Sequence, residues 1–301
     1  MSFSESLVLF KYLLKQFGLE KFENLQEQYK LRELNADTAE HSLFYLNLAT
    51  GVNFDSAKLK EYDENIIRHL ETINSKRNPK INLKYYQYFS LLFTEYYLDR
   101  WFDNADDLAQ SLQDFGKEIF GDAKDVKFNK DGLNLAAYWM ATGSGKTLIL
   151  HFNILQYRHY AKKYQTKFNN LILLTPSEGL SDQHLADLRE SGFDADLYLN
   201  DKAGNHVKVI DINKIKELKT GQGVTISVDE FGQQNAVFVD EGHKGNDKEE
   251  SVWRGLREKM GFNSFTFEYS ATFGQTSVSL QDYYAKRIIF DYSYRYFYKD
   301  G

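Results

Sequence analysis

The spacing of hydrophobic positions changes character partway along the chain. From Ser4 to about Lys80 apolar residues recur at helical intervals, with Leu7, Phe10, Leu14 and Phe17 on one stripe and Phe44, Leu46 and Leu48 in a second cluster. Helical spacing returns in Tyr85, Tyr88, Phe89, Leu92 and Tyr96, an aromatic face suited to a core. Beyond Gly132 the pattern becomes short strand-like segments, at residues 135–139, 171–174, 196–199, 207–210, 236–239 and 265–269, separated by helical stretches. That alternation predicts an α/β fold with a doubly wound, mostly parallel sheet. The polar segment 74–79 ends at one of only two prolines and reads as a linker, while 121–132, rich in Asp and Lys, reads as a surface loop. The chain is thereby expected to divide into an all-helical domain over 1–80, with no catalytic signature of its own, and an α/β domain over 81–301.

The first of the predicted strands runs into MATGSGKT at residues 140–147, and a helical pattern follows through Leu148, Ile149, Leu150 and Phe152. Strand, glycine loop and helix in that order suit a phosphate cradle, because a triphosphate needs several backbone N–H donors, a fixed cation and a hydroxyl for Mg²⁺. In the segment Thr142, Gly143, Ser144, Gly145, Lys146 and Thr147, the glycines let the backbone approach the phosphates. Lys146 is placed to reach β- and γ-phosphate oxygens, and Thr147 to coordinate the metal. Met140 stands where the simplest pattern has Gly. A chance glycine turn bearing Lys-Thr is the competing explanation, and the flanking strand and helix argue against it.

A second apolar run, 236–239, ends in Asp240-Glu241, which puts two carboxylates at the edge of the sheet where α/β folds bind ligands. Asp240 is expected to hold Mg²⁺, through water or directly, and Glu241 to orient and deprotonate the attacking water. A similar pair, Asp229-Glu230, follows an alternating segment and precedes Phe231-Gly232, so it is read as a strand and turn with solvated acids.

MATGSGKT, DEGH at 240–243 and SAT at 270–272 together resemble motifs I, II and III of the superfamily 2 helicases of the DEAD/DEAH-box-like group, and within it the motor subunits of type III and type I restriction enzymes. The resemblance covers roughly residues 83–301 and implies a RecA-like P-loop NTPase lobe that uses ATP and Mg²⁺. Carried over residue by residue, it makes Lys146 and Thr147 the phosphate and metal contacts and Asp240 and Glu241 the Walker B pair. It makes His243 a link between nucleotide and motif III, and Ser270 and Thr272 the residues that couple nucleotide state to nucleic-acid grip. Gly242 stands where many members have Ala. Thr175, Pro176 and Ser177 resemble motif Ia, which contacts a nucleic-acid backbone, and Gln87 resembles the glutamine that reads the adenine edge, although the aromatic core face accounts for the same segment. The implied partners are nucleic acid, duplex DNA first, and modification or nuclease subunits of a restriction or phage-defence system. Nothing after Thr272 looks like the second lobe that supplies an arginine finger in this superfamily. The chain is therefore expected to be the N-terminal piece of a longer protein, with slow turnover by itself, since such a finger contributes about 10³- to 10⁵-fold in rate.

Charge and composition narrow the setting. With a net charge of −6 the chain is no strong polyanion binder by charge alone, and the clusters at Lys76, Arg77, Lys80 and Lys84 and at Lys202, Lys208, Lys214, Lys216 and Lys219 read as solvated faces. The absence of cysteine excludes disulfides, thiolate zinc sites and cysteine nucleophiles within these residues. No apolar run reaches the roughly 20 residues of a membrane span, and the opening lacks a basic signal-peptide start, so a cytoplasmic protein is expected. His41, His69, His151, His159, His184 and His206 lack metal-ligand spacing and are read as structural or surface groups. The leading expectation is the ATP-binding and hydrolysing lobe of a DNA helicase or translocase. An RNA helicase lobe is second, and an ATP-gated protein-interaction module third.

Overall fold

The computed structural model describes residues 2–30, 32–34, 41–51, 54–121, 126–198, 206–216, 226–241, 255, 259–260 and 265–300. Seven parallel strands form one sheet: β1 (Leu135–Met140), β2 (Asn170–Thr175), β3 (Ala195–Leu197), β4 (Val207–Asp211), β5 (Asn235–Asp240), β6 (Phe265–Ser270) and β7 (Ile288–Tyr292). They lie in the order β7-β1-β6-β5-β2-β4-β3. Near-continuous burial along β1, β2 and β5 shows why these runs do not alternate with polar residues: both faces are covered. β6 is buried throughout as well, although Thr266, Glu268 and Ser270 alternate with its aromatic residues. The register fixes the site, because Thr266 of β6 lies opposite both Leu135 of β1 and Val237 of β5. The carboxyl ends of all three strands thus arrive at one edge.

The sheet is one strand larger than the apolar runs predict. β7 begins with Ile288, Ile289 and Phe290, an apolar stretch of three residues before Asp291, and pairs with β1. Asp291 is fully buried, where its carboxylate accepts the backbone N–H of Ser293 and pairs with Arg295 at 2.7 Å.

Helices α1 (Val8–Gln16), α2 (Phe22–Tyr29), α3 (Leu43–Gly51) and α4 (Ser56–Asn74) precede a long element, α5 (Tyr85–Phe120). α5 is broken at Asn104, whose extended backbone (φ −157°, ψ 91°) and side-chain oxygen, accepting from Asp107 N–H, start a second helical segment. Its first half is buried on every side, which accounts for the aromatic run of 85–97. Of the expected N-terminal stripe, Leu7, Phe10, Leu14 and Phe17 are all buried. In α3, Phe44 and Leu48 are buried while Leu46 is 50% exposed, a correction that follows from helical periodicity: 44 and 48 share a face and 46 lies opposite.

The N-terminal helices pack directly on the sheet. Phe10 meets Phe290 of β7 at 5.8 Å, and Phe22 meets Tyr296 at 4.4 Å, within one apolar cluster that runs from α1 to the last helix. The segment 74–79 is tied down as well, since Arg77 donates to Ser191 Oγ at 2.7 Å and pairs with Glu190. Among the described residues no helix is long and apolar enough to cross a membrane.

Candidate functional site

β1 ends at Met140, and the chain turns through residues 141–145 into α6 (Lys146–Lys163). Ser144 closes the turn by donating from its N–H and its hydroxyl to Ala141 O, at 3.2 and 2.7 Å. Gly143 and Gly145 both have left-handed backbone, φ +84° and +92°, which residues with a Cβ adopt only at a cost. Gly145 has a second constraint, because a Cβ there would lie 2.5 Å from Gln87 Nε2. Gln87 belongs to the first turn of α5. Its carbonyl accepts the Lys84 N–H at 3.0 Å, and its amide donates to Ser144 O at 3.0 Å, so it braces the loop from beneath. Gly145 caps α6 without a side-chain acceptor, which leaves the helix dipole and its first N–H groups directed at the loop.

On the other side of β6, β5 delivers Asp240 and Glu241. The Glu241 N–H continues the ladder to Tyr269 O at 3.0 Å, and its φ of +54° is left-handed backbone just past the end of the strand. Such a conformation in a residue with a long side chain is concentrated at functional sites. Lys146 Nζ lies 3.3 Å from Glu241 Oε1, with the two side chains 11% and 18% exposed. The loop cation and the second carboxylate, far apart in sequence, therefore share one site. Asp240 Oδ2 accepts from His184 Nε2 at 2.9 Å.

The remaining expected residues surround this centre. Ser270, at the end of β6, accepts the Thr272 N–H on its Oγ at 3.0 Å, and Trp139 Nε1 donates to Ala271 O at 3.1 Å, fixing that turn to β1. Thr175, at the end of β2, is fully buried and bonds Ser181 Oγ at 2.6 Å. Pro176 is half-buried, and Ser177 is exposed and caps α7 (Glu178–Glu190). His243 and Gly242 lie outside the described residues. Asp229 and Glu230 are exposed on the turn Val228–Phe231. That turn is pinned by Asn170 at the amino end of β2, the edge opposite the site.

Beside the loop is a pocket of about 340 Å³, lined by Gly143, Tyr86, Tyr292, Phe297, Lys84 and Asp300 among others. Tyr86 stacks on Tyr292 at 3.8 Å, and the hydroxyls of Tyr85 and Tyr292 both donate to Asp300. Burial pushes the Tyr86 hydroxyl up to about 12 and raises Tyr292, so both are neutral at physiological pH.

Three parts of this site escaped the sequence reading: the aromatic pocket, the Trp139 brace and His184. The pocket depends on β7, which was not predicted. His184 had one signal, in that it shares a helical face with Ser181 and Leu188, the buried side of α7.

A parallel α/β sheet with a glycine loop after one strand, and a carboxylate pair after a strand two places away, defines a RecA-like phosphate-loop ATPase lobe. The family model for "Type III restriction enzyme, res subunit" matches residues 57–275, well over half of the chain, and the chain belongs to that family. Membership implies an ATP-dependent, helicase-like motor lobe. No curated protein and no solved structure matches the chain.

Proposed function

We propose that this chain binds and hydrolyses ATP as one lobe of a translocase or helicase acting on duplex DNA in a restriction or phage-defence system. The observation that carries the reading is the meeting of Lys146 with Glu241 at the carboxyl edge of the sheet. The base would lie in the pocket beside Gly143, against the partly exposed ring of Phe297, with the stacked Tyr86 and Tyr292 forming the wall behind it. The triphosphate would follow the turn from Thr142 to Gly145 onto the first N–H groups of α6, with Lys146 exchanging Glu241 for β- and γ-phosphate oxygens.

The hydroxyl of Thr147 and the carboxylate of Asp240 are hard oxygen donors of the kind Mg²⁺ takes. Bound there, the ion would neutralise charge on the β- and γ-phosphates. Glu241, released from Lys146, would orient a water in line with the γ-phosphate and accept its proton. Ser270 and Thr272 would carry the change in nucleotide state outward. Pro176 and Ser177, at the exposed start of α7, would meet a backbone phosphate, with Thr175 holding the turn from inside.

The test is ATP turnover with no nucleic acid, duplex DNA, single-stranded DNA or RNA, with Lys146→Ala as blank. Duplex DNA is expected to stimulate most. Stimulation by RNA alone would establish an RNA motor instead, and turnover indifferent to every nucleic acid would mark an ATP-gated interaction module.

A further inference from the structure

We infer that His184 is a positioning residue for Asp240, holding its carboxylate in the orientation that receives the metal of the nucleotide. The inference rests on the reading of Asp240 as a metal ligand given above. His184 lies on α7, 56 residues before Asp240 in sequence, yet its Nε2 is 2.9 Å from Asp240 Oδ2. The histidine side chain is 4% exposed and the aspartate side chain 13%. A carboxylate only accepts, so the proton of this bond belongs to Nε2. The other ring nitrogen, Nδ1, is buried and has no hydrogen-bond partner among the described residues. A buried imidazole whose Nε2 is aimed at a single carboxylate is oriented for that carboxylate.

The bond engages Oδ2 of a carboxylate that would hold the metal directly or through water. It also fixes the carboxylate plane, the service that outer hydrogen bonds perform for acidic metal ligands. His184 is itself held, because its helix is anchored at both ends. At the start, Ser181, one turn before His184, bonds the buried Thr175 hydroxyl at 2.6 Å. At the finish, Ser191 Oγ bonds His151 Nδ1 at 2.8 Å and accepts from Arg77 at 2.7 Å. Asp240 is thereby connected through α7 to the turn that begins at Thr175.

The experiment is equilibrium binding of a fluorescent ATP analogue to the chain, titrated with Mg²⁺ and repeated in EDTA, for the wild type, His184→Leu, His184→Gln and Asp240→Asn. Thermal melting of each variant reports folding. His184→Leu is expected to raise the half-saturating Mg²⁺ concentration about 10- to 100-fold, the usual cost of removing a partner of a metal ligand, with affinity in EDTA unchanged. His184→Gln keeps an amide donor and is expected to recover most of that loss. An unchanged Mg²⁺ requirement in His184→Leu, alongside a large loss in Asp240→Asn, would overturn the role of His184 alone. Equal loss in His184→Leu and His184→Gln that extends to binding in EDTA would reduce His184 to a packing residue. An unchanged Mg²⁺ requirement in Asp240→Asn would remove the metal reading itself, and this inference with it.

Discussion

At the scale of single residues, the site places a cation and a carboxylate in direct contact, so their separate roles predict opposite phenotypes. Lys146→Ala removes the charge proposed to meet the phosphates and is expected to abolish ATP binding at concentrations that saturate the wild type, as read by fluorescent-nucleotide titration. Glu241→Gln keeps the shape and loses the base, so binding should persist while turnover falls about 10²- to 10⁴-fold. Asp229→Asn, at the opposite edge of the sheet, should leave turnover unchanged. Gly145→Ala meets two costs: a left-handed backbone, about 1–2 kcal/mol, and contact with Gln87 Nε2. The double variant with Gln87→Ala relieves the contact but also removes the Gln87 hydrogen bonds to Lys84 and Ser144, so Gln87→Ala alone is melted beside it, and the departure of the three variants from additivity measures the contact. Lys146, Thr147, Asp240 and Glu241 were legible in the sequence because each sits at a fixed local offset from a strand or a glycine. The pairing of His184 with Asp240 was not, since it depends on how α7 packs on β2, β3 and β4 beside the end of β5, which no local pattern encodes.

At the scale of elements, α4, α5 and α6 meet around Glu95, a fully buried carboxyl on α5. Asn65 of α4 donates to it at 2.9 Å, and Gln156 and Tyr160 of α6 at 2.7 and 2.6 Å. Burial raises its pKa to about 7, and the three donors only partly offset that. Because the folded pKa lies above the unfolded value, the folded state takes up a proton between about 4.5 and 7. The stabilisation attached to that proton is complete below 4.5 and is lost as pH rises through 7. His69 and His151, both lowered to about 3 by burial, act in the other direction: their contribution is present above the unfolded histidine range and lost as pH falls. Glu95→Gln, which imitates the protonated acid, isolates the first effect. Its melting temperature should move upward relative to the wild type between pH 5 and pH 8, by an amount corresponding to at most about 3 kcal/mol. A constant difference across that range would mean Glu95 does not titrate there. The same layer explains which elements could be read in advance. β1, β2 and β5 are buried on both faces and appear as unbroken apolar runs, whereas β7 offers only three apolar residues before a buried Asp291 that is satisfied by Ser293 and Arg295, residues that follow it.

At the scale of the whole molecule, the question is whether residues 1–80 behave as a domain apart from the ATPase lobe. Composition and the polar segment 74–79 argue for a division. The packing argues for joint behaviour, because Phe10 contacts Phe22, Phe93 of α5 and Phe290 of β7 within a single apolar cluster, and Arg77 ties the connecting segment to the end of α7. A core shared in this way is lost as a unit, since exposing the helices also uncovers the edge of the sheet at β7. Phe10→Ala is therefore expected to destabilise the chain by about 3–5 kcal/mol, the usual cost of removing a buried aromatic. The test is to follow urea unfolding by helical circular dichroism and by tryptophan fluorescence, with Trp139 reporting on β1 beside the phosphate loop. Joint behaviour requires the two signals to change together in the wild type and to move to lower urea together in Phe10→Ala. An early loss of helix that leaves the fluorescence unchanged would instead make the N-terminal helices an independent domain, and would confine the effect of Phe10→Ala to that first transition.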